Sequence, residues 1–292
     1  MELIQFNTAA GFLEIAQPWM EEREVENNLI LGIALLLVKN PDYHRVQPFM
    51  AVVTQAGKPI LAALMTAPFN LVLAGQPQPA ALETLAGGLV EKGIDLPGVT
   101  GPRPTSHAFA ELWSELTRRK LQTRMQMRVY ELTRVIQPSL PTGYLREAGE
   151  GDLALVTDWV IAFRQEALHE TGDLEKIKLQ MERLISEHKI FIWDDGGPVS
   201  IAASTRPTLR GVSINQVYTP PPLRRKGYAS ACVAALSQLQ LEAGYKYCCL
   251  FTDLTNPTSN QIYMDIGYQP VCDFVVYRFV DGEGDPDPDR QG

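Results

Sequence analysis

A basic turn at residues 224–227, Arg-Arg-Lys-Gly, has the residue types best suited to bind an anion. Residues 212–219 before it alternate apolar and polar side chains, which predicts a half-buried strand that three prolines then end. Residues 228–243 repeat apolar side chains at helical spacing, so the turn lies at a helix N-terminus. There the first N–H groups lack partners, the helix dipole adds positive potential, and Gly227 leaves the backbone uncovered. The turn predicts a phosphate or diphosphate site, with a solvated cap of a surface helix as the alternative.

A second informative stretch covers residues 253–268. Asn256 followed by Pro257 predicts a helix start, because Asn caps helices and Pro is tolerated in the first turn. Asn260 and Tyr263 are three residues apart, so they share a face of this helix. Asn256 is either a cap only or also a ligand-binding residue, and Tyr263 is either a core tyrosine of an amphipathic helix or a catalytic residue.

The two stretches together resemble the acetyl-CoA motifs of the GCN5-related N-acetyltransferases. The family pattern Gln/Arg-x-x-Gly-x-Gly/Ala is filled by Arg-x-x-Gly-x-Ala at residues 224–229. The later family motif, an Asn followed by a Tyr and then by Gly-Tyr/Phe, is filled by Asn256, Tyr263 and the pair at 267–268. The resemblance covers residues 144–280 well and the first half of the chain only in outline.

This resemblance implies an α/β fold with a mixed, mostly antiparallel sheet and helices on both faces. A central parallel strand pair splays apart in such folds and holds the pantetheine arm of CoA. The positions that would bind acetyl-CoA are Gln216, Val217, Tyr218, Thr219, Arg224, Arg225, Lys226, Gly227, Tyr228, Ala229, Asn256 and Asn260. The N–H of Val217 would stabilise negative charge on the thioester oxygen. Tyr263 would protonate the departing sulfur, since a phenol with a pKa of about 10 carries its proton at pH 7.

The group that accepts the proton of the amine has a weaker signal. Some family members place a glutamate on the central strand, where this chain has Asn215 and Gln216, and neither side chain can accept a proton. Glu166 and His169, near the end of the first helix of the second half, are candidates that would act directly or through water. Glu166 is assigned the catalytic role, and a water chain that drains to solvent would also suffice.

The order of predicted elements occurs twice: strand, two helices, three strands, helix, strand, helix and strand. This repeat predicts an N-terminal domain of the same fold at residues 1–136, a linker at 137–143, a catalytic domain at 144–280 and a disordered tail at 281–292. Where the second half has its basic turn, the first has Gly-Gln-Pro-Gln-Pro at 75–79, without cations. The first half is predicted to be a degenerate copy that packs against the second half and shapes it without binding a diphosphate. The alternative is an unrelated α/β domain.

Two further elements are predicted from their residue patterns. Residues 19–38 form one long helix in this interpretation, because an acidic first part leads to an apolar end that Asn40 and Pro41 stop. Residues 269–280 are predicted as paired strands.

The overall composition limits the partners. The chain of 292 residues has a net charge of −8 and a pI near 5.1, which argues against nucleic acid. Its four cysteines lie without metal-ligand spacing, so we expect reduced thiols and no metal. The most apolar run, residues 29–38, is about half of the roughly twenty residues that a membrane span needs. We therefore expect a cytoplasmic protein without a membrane partner, and a homodimer is left open.

The resulting hypothesis is an N-acetyltransferase with acetyl-CoA as donor. It would move the acetyl group to a primary amine of a small molecule or peptide, by direct attack in a ternary complex. One alternative is a non-catalytic sensor that binds acyl-CoA, which the missing strand carboxylate favours. The other is an N-acyltransferase that uses a longer acyl chain.

Overall fold

The computed structural model describes residues 1–40, 46–139, 141–168 and 172–281. In these ranges the strands are β1 (Glu2–Gln5), β2 (Phe49–Gln55), β3 (Lys58–Met65), β4 (Leu71–Gly75), β5 (Gly98–Pro102), β6 (Lys120–Leu132), β7 (Tyr144–Glu147), β8 (Ile190–Asp194), β9 (Pro198–Thr205), β10 (Gly211–Tyr218), β11 (Tyr247–Asp253) and β12 (Gln269–Val280). The helices are α1 (Ala9–Met20), α2 (Asn28–Lys39), α3 (Pro79–Glu91), α4 (Arg103–Thr117), α5 (Leu153–Phe163), α6 (Leu174–Ser186), α7 (Tyr228–Glu242) and α8 (Pro257–Ile266). His169 and residues 282–292 of the predicted tail lie outside the described residues.

The prediction of one long helix over residues 19–38 is wrong. Helix α1 ends at Met20 and α2 begins only at Asn28, with a turn between them. In that turn the amide of Asn27 donates to the carbonyl of Met20 at 2.9 Å, and the amide of Asn28 donates to the carbonyl of Val25 at 2.5 Å. Asparagine side chains compete in this way with the backbone bonds of a continuous helix.

All twelve strands of the described residues form one sheet. Its order is β1-β2-β3-β4-β5-β12-β6-β11-β10-β9-β8-β7. Only β4–β5 and β10–β11 pair in parallel among these neighbours, and the other pairs are antiparallel. The predicted fold class, a mixed and mostly antiparallel sheet with one parallel pair in each half, is therefore confirmed.

The two halves exchange their last strands at the centre of the sheet. Strand β6, from the first half, lies beside β11 with Leu132 opposite Cys248. Strand β12, from the second half, lies beside β5 with Phe274 opposite Pro102, and it also pairs with β6 along its length. The predicted paired strands over 269–280 are therefore one long strand whose partners come from the first half. The domain boundaries stay a prediction.

Helices cover both faces of the sheet in each half. In the first half, α1 and α2 pack on one face, and α3 and α4 pack on the other. In the second half, α5 and α6 pack on the face that carries Ile201 and Ala203, whereas α7 and α8 pack on the face that carries Val212 and Ile214. Alternate residues of one strand thus enter different cores, as the period of two in these strands requires.

A carboxylate clamp joins the two halves outside the sheet. The backbone N–H and the Nε of Arg210, before β10, donate to the two carboxylate oxygens of Glu24 at 2.8 and 2.5 Å. Glu24 is only 3% exposed. Burial raises the pKa of Glu24, but hydrogen bonds from Thr208 and Arg210 outweigh it and leave the pKa below its ordinary value. The first half therefore holds the turn between β9 and β10 in place.

Candidate functional site

The parallel strands β10 and β11 separate and open a cleft. Their register runs from Gly211 opposite Tyr247 to Ser213 opposite Cys249 and stops there, although both strands continue. Beyond this point the facing backbone groups of β10 have no strand partner on that side, and such groups need one when they are buried. The cleft between the strands has a volume of about 1590 Å³.

Strand β10 carries a bulge at the mouth of this separation. Asn215 lies opposite Ala203, but Tyr218 lies opposite Ile201, so two residues of β10 face one of β9. Gln216, in the bulge, has a φ of 50°, which costs a non-glycine residue about 1–3 kcal/mol. A bulge aims backbone and side chain away from the ladder, and here it aims them at the cleft.

Two amide oxygens at the bulge are buried and have no hydrogen-bond partner among the residues that the structure describes. They are Oδ1 of Asn215 and Oε1 of Gln216. The Nδ2 of Asn215 donates to Oγ1 of Thr205, which holds the amide in place. Buried acceptors of this kind are rare in folded proteins, and a ligand with N–H groups would satisfy them.

The basic turn leads into α7 as predicted, with a conformation that explains its glycine. Gly227 has a φ of 84° and is the N-cap of α7, and Arg225 has a φ of 61°. Among the described residues, a Cβ at Gly227 would meet only Pro141 of the predicted linker, at 3.6 Å, which is ordinary contact. Glycine is therefore required by its backbone angle and not by crowding. The first N–H groups of α7 lie at the edge of the cleft, since Gly227, Tyr228 and Ala229 line it.

Arg224 and Glu166 form an ion pair across the cleft entrance. The Nη2 of Arg224 donates to Glu166 at 2.5 Å, and the hydroxyl of Tyr218 donates to the other carboxylate oxygen at 2.8 Å. The Nε of Arg224 donates to the carbonyl of Thr219 at 2.8 Å. Burial raises the pKa of Glu166, but the bonds from Arg224 and Tyr218 outweigh it and leave the pKa lowered. Glu166, which lies in the π-helical segment Arg164–Leu168, is therefore held as an anion.

Lys226 and Tyr228 direct their polar ends away from the cleft. The hydroxyl of Tyr228 donates to Asp195 at 2.6 Å, and the charge of Lys226 also acts on Asp195, whose pKa is lowered chiefly by the bond from Tyr228. Tyr228 still lines the cleft, whereas Lys226 does not. Of the two cations that follow Arg224, only Arg225 is thus placed at the cleft.

Tyr263 reaches the cleft from α8. Its side chain is 9% exposed, and its ring contacts that of Tyr268 edge to face at 5.9 Å between centroids. Burial raises the pKa of Tyr263 to about 12, with a smaller contribution from Cys232. The phenol therefore keeps its proton throughout the physiological range.

The two asparagines of the second motif have structural bonds. Asn256 caps α8, because its Oδ1 accepts the N–H of Ser259 at 3.0 Å. The Nδ2 of Asn260 donates to the carbonyls of Asp253 and Asn256 at 2.8 and 2.7 Å, and its Oδ1 accepts from Tyr130 of β6 at 2.8 Å. Asn256 lines the cleft, whereas Asn260 does not. Asn260 thus ties the exchanged strand to the loop before α8.

Most of the predicted site residues meet at this cleft. Those that line it are Glu166, Gln216, Val217, Tyr218, Thr219, Arg224, Arg225, Gly227, Tyr228, Ala229, Asn256 and Tyr263. Thr219 has its hydroxyl within 2.9 Å of that of Ser200, so its side chain is already bonded.

The first half also contributes to the cleft wall, which the sequence interpretation missed. Its lining residues are Gly32, Leu35, Leu36 and Lys39 of α2 and Met125 and Met127 of β6. Arg206, just after β9, lines the cleft as well and was not predicted. Residues 29–38 carried only the signal of a buried helix, and no local pattern distinguishes Arg206 from a surface arginine.

In the first half itself, the hydroxyl of Thr105 donates to the carbonyl of Gly75 at 2.6 Å, which ties α4 to the end of β4.

The described residues hold no candidate metal centre. No group of three or more His, Cys, Asp or Glu side chains in them is placed to bind an ion. The four cysteines are free, and burial raises the pKa of the Cys232 thiol to about 12. No helix in the same ranges is long and apolar enough to span a membrane.

Known proteins resemble this chain in one domain and in overall fold. Residues 197–278 match the family described as FR47-like protein. No curated protein matches the sequence. A GCN5-related N-acetyltransferase from Sphaerobacter thermophilus is 16% identical with a TM-score of 0.62, and the match covers 94% of this chain and 95% of that one.

Two further structures are similar over nearly the whole chain. A Drosophila protein is 17% identical with a TM-score of 0.65, covering 95% of this chain and 98% of its own. A tandem GNAT protein from the clavulanic acid biosynthesis pathway is 12% identical with a TM-score of 0.56, covering 97% and 99%. At these identities the likeness shows the fold, which is that of two such domains in tandem.

Proposed function

We propose that this chain is a GCN5-related N-acetyltransferase that transfers an acetyl group from acetyl-CoA to a primary amine, because residues 197–278 match the FR47-like family and the whole chain has the fold of tandem proteins of that superfamily. The acceptor is a small molecule or peptide, and donor and acceptor bind together. One observation carries the proposal: strands β10 and β11 separate after Ser213 and Cys249, and the cleft between them reaches both the start of α7 and the buried phenol of Tyr263.

The residues at the cleft fit acetyl-CoA. The N–H groups at the start of α7, from Gly227 onward, would hold the diphosphate together with Arg225, since a helix N-terminus attracts anions. The unpaired edge of β10 would bond the pantetheine amides, and the N–H of Val217 would face the thioester oxygen. When bound, acetyl-CoA supplies an acetyl group activated by its thioester.

Tyr263 provides the proton that the leaving sulfur needs. A pKa of about 12 keeps the phenol protonated but makes it a weak acid. The neighbouring Cys232 thiol has its pKa raised to about 12 by the same burial. A thiolate that leaves into buried surroundings is also destabilised by desolvation, and this favours proton transfer to it from Tyr263.

Glu166 is proposed to take the proton of the amine, directly or through water. Its carboxylate is ionised and lines the cleft, as a proton acceptor requires. Its bonds to Arg224 and Tyr218 lower its pKa and so weaken it as a base. It becomes a stronger base when Arg224 turns away from it.

The experiment compares Tyr263→Phe with a matched Tyr144→Phe variant, whose phenol is 60% exposed on β7. CoA affinity is measured by calorimetry, and turnover by thiol release with a panel of amines. We expect Tyr263→Phe to lose about 100-fold or more in kcat with CoA affinity kept, because general acid catalysis is worth about that much. Tyr144→Phe should match the wild type. CoA binding without turnover on any amine would identify a sensor, and an absence of CoA binding would refute the proposal.

A longer acyl chain is the second candidate for the donor. Apolar side chains of Leu35, Met125, Met127 and Phe251 line the same cleft, and methionine adapts readily to varied apolar ligands. Comparing kcat/KM for acetyl-, butyryl- and octanoyl-CoA decides between the two. A rise with chain length would replace acetyl transfer by acyl transfer, whereas a fall would support the acetyl donor.

A further inference from the structure

Arg206 is a cation in the cleft that has no counter-ion among the described residues. Its Nη2 donates to Oγ of Ser213 at 2.8 Å, and its Nε is buried with no acceptor in that part of the chain. In the described parts of the chain no carboxylate forms an ion pair with it, and burial lowers its pKa. An arginine placed in this way is costly, because a buried charge is usually paired and each N–H of the guanidinium needs an acceptor.

The rest of the cleft does not supply the missing charge. Its described lining carries seven Lys and Arg side chains and two carboxylates, Glu166 and Asp253, in a protein of net charge −8. Glu166 accepts bonds from Arg224 and Tyr218, and Asp253 accepts the N–H and hydroxyl of Thr255 at 2.7 and 2.8 Å. Among the described residues, no side chain therefore balances the charge of Arg206, which leaves this role to a ligand anion.

Acceptors for an amine lie close to this arginine. The orphaned amide oxygens of Asn215 and Gln216 belong to the strand whose Ser213 holds the guanidinium. Ser213 and Asn215 are two residues apart on one face of β10, a separation of roughly 7 Å. A molecule that reaches both needs an anion and an amine only a few atoms apart.

From these unpaired groups we propose that the acceptor is an amine that also bears a carboxylate, as an amino acid does. Arg206 binds the carboxylate with its fork of N–H donors, a geometry suited to two parallel hydrogen bonds. The oxygens of Asn215 and Gln216 accept the N–H groups of the amine. This inference rests on the proposed function and names the substrate class of the same site.

The first half fixes the position of this arginine. A Cβ built on Gly32 of α2 would lie 2.7 Å from the Cβ of Arg206, closer than real side chains approach. Helix α2 therefore packs directly against the aliphatic part of Arg206, while the guanidinium bonds to Ser213. The first half thus influences which acceptor binds, and Gly32 is a positioning residue for Arg206.

The test uses the full chain with N-acetylated amino acids as probes and their uncharged amides as controls. Binding of each probe is measured by calorimetry in wild type and in Arg206→Met, and kcat/KM is measured for amino acids and their amides. We expect the carboxylate forms to bind roughly 10- to 100-fold better in the wild type, and this preference to vanish in Arg206→Met, because a charge-assisted pair of bonds is lost. CoA affinity should stay the same.

A second pair of variants guards against a folding artefact. Gly32→Ala displaces Arg206, whereas Gly87→Ala in α3 places its Cβ where no atom of the described residues lies within 4 Å. We expect Gly32→Ala to raise KM for the amino acid several-fold with kcat little changed, and Gly87→Ala to leave both values alone. Equal binding of acids and amides in the wild type, with CoA still bound, overturns the inference and leaves the proposed function standing. Preference for the acid that survives in Arg206→Met also overturns it.

Discussion

Replacing Gly227 by alanine tests whether the start of α7 is a ligand site or only a helix cap. Gly227 has a φ of 84°, and its added Cβ would contact only Pro141, at 3.6 Å, in the described part of the chain. The perturbation is therefore conformational: alanine either keeps the left-handed angle at a cost or relaxes and tilts the first turn of the helix.

The two consequences have different sizes. Keeping the angle costs roughly 1–2 kcal/mol of folding stability, which lowers Tm by about 2–4 °C for each kcal/mol in a chain of this size class. Tilting the first turn misaligns the N–H groups that would bind the diphosphate. Losing one charge-assisted hydrogen bond of about 1.5–3 kcal/mol weakens CoA binding roughly 10- to 100-fold.

The matched control is Gly57→Ala in the turn between β2 and β3. Gly57 has a φ of 76°, and no atom of the described residues lies within 4 Å of a built Cβ, so its substitution has the same backbone cost far from the cleft. Thermal unfolding should show a similar loss for Gly227→Ala and Gly57→Ala, and calorimetry with CoA should separate them. If Gly227→Ala binds CoA as tightly as Gly57→Ala does, the turn is a structural cap and the diphosphate site is wrong.

Two further changes test how the structure positions the site. Glu24→Gln removes the charge that holds Arg210, so unfolding in urea should show a loss of about 1–3 kcal/mol at pH 7. Because the pKa of Glu24 is lowered on folding, its contribution to stability is complete above its unfolded pKa of about 4.3 and is lost as the pH falls through the folded pKa. The free energies of unfolding of the wild type and Glu24→Gln should therefore converge in acid. A difference that persists there contradicts the assignment. Gln216→Gly should change Tm little, because glycine relieves the strain of a φ of 50° and this offsets its greater entropy in the unfolded chain. Gln216→Val should lower Tm by several degrees, because a β-branched residue is strained at that angle. Equal effects of the two substitutions would count against the bulge.

The local features of the candidate site could be predicted because each depends on neighbouring residues. Prolines end β10, glycine permits the N-cap of α7, and Asn256 with Pro257 starts α8, all within a few positions along the chain. The cation at 226 shows where such prediction stops. Adjacent cations in a turn have no fixed direction, and Lys226 lies away from the cleft that Arg225 lines.

The break between α1 and α2 shows a second limit. Periodicity over residues 19–38 favours one helix, but the amides of Asn27 and Asn28 bond to nearby carbonyls and end the helix. The free energies of these side-chain bonds and of the helical backbone bonds that they replace differ by only about 1 kcal/mol. A hydrophobic pattern does not resolve a difference of this size.

Apart from the break between α1 and α2 and the single strand over residues 269–280, the sequence alone determined which segments are strands and helices and which turn could bind an anion, since propensity, capping and glycine angles act over a few residues. Only the tertiary structure decided which strands are neighbours. The exchange of β6 and β12 joins residues more than a hundred positions apart, such as Leu132 and Cys248, and nothing in either strand encodes its partner. The same holds for Arg206: its charge follows from the sequence, but only the structure shows that helix α2 of the first half packs against it and that its Nε has no acceptor among the described residues.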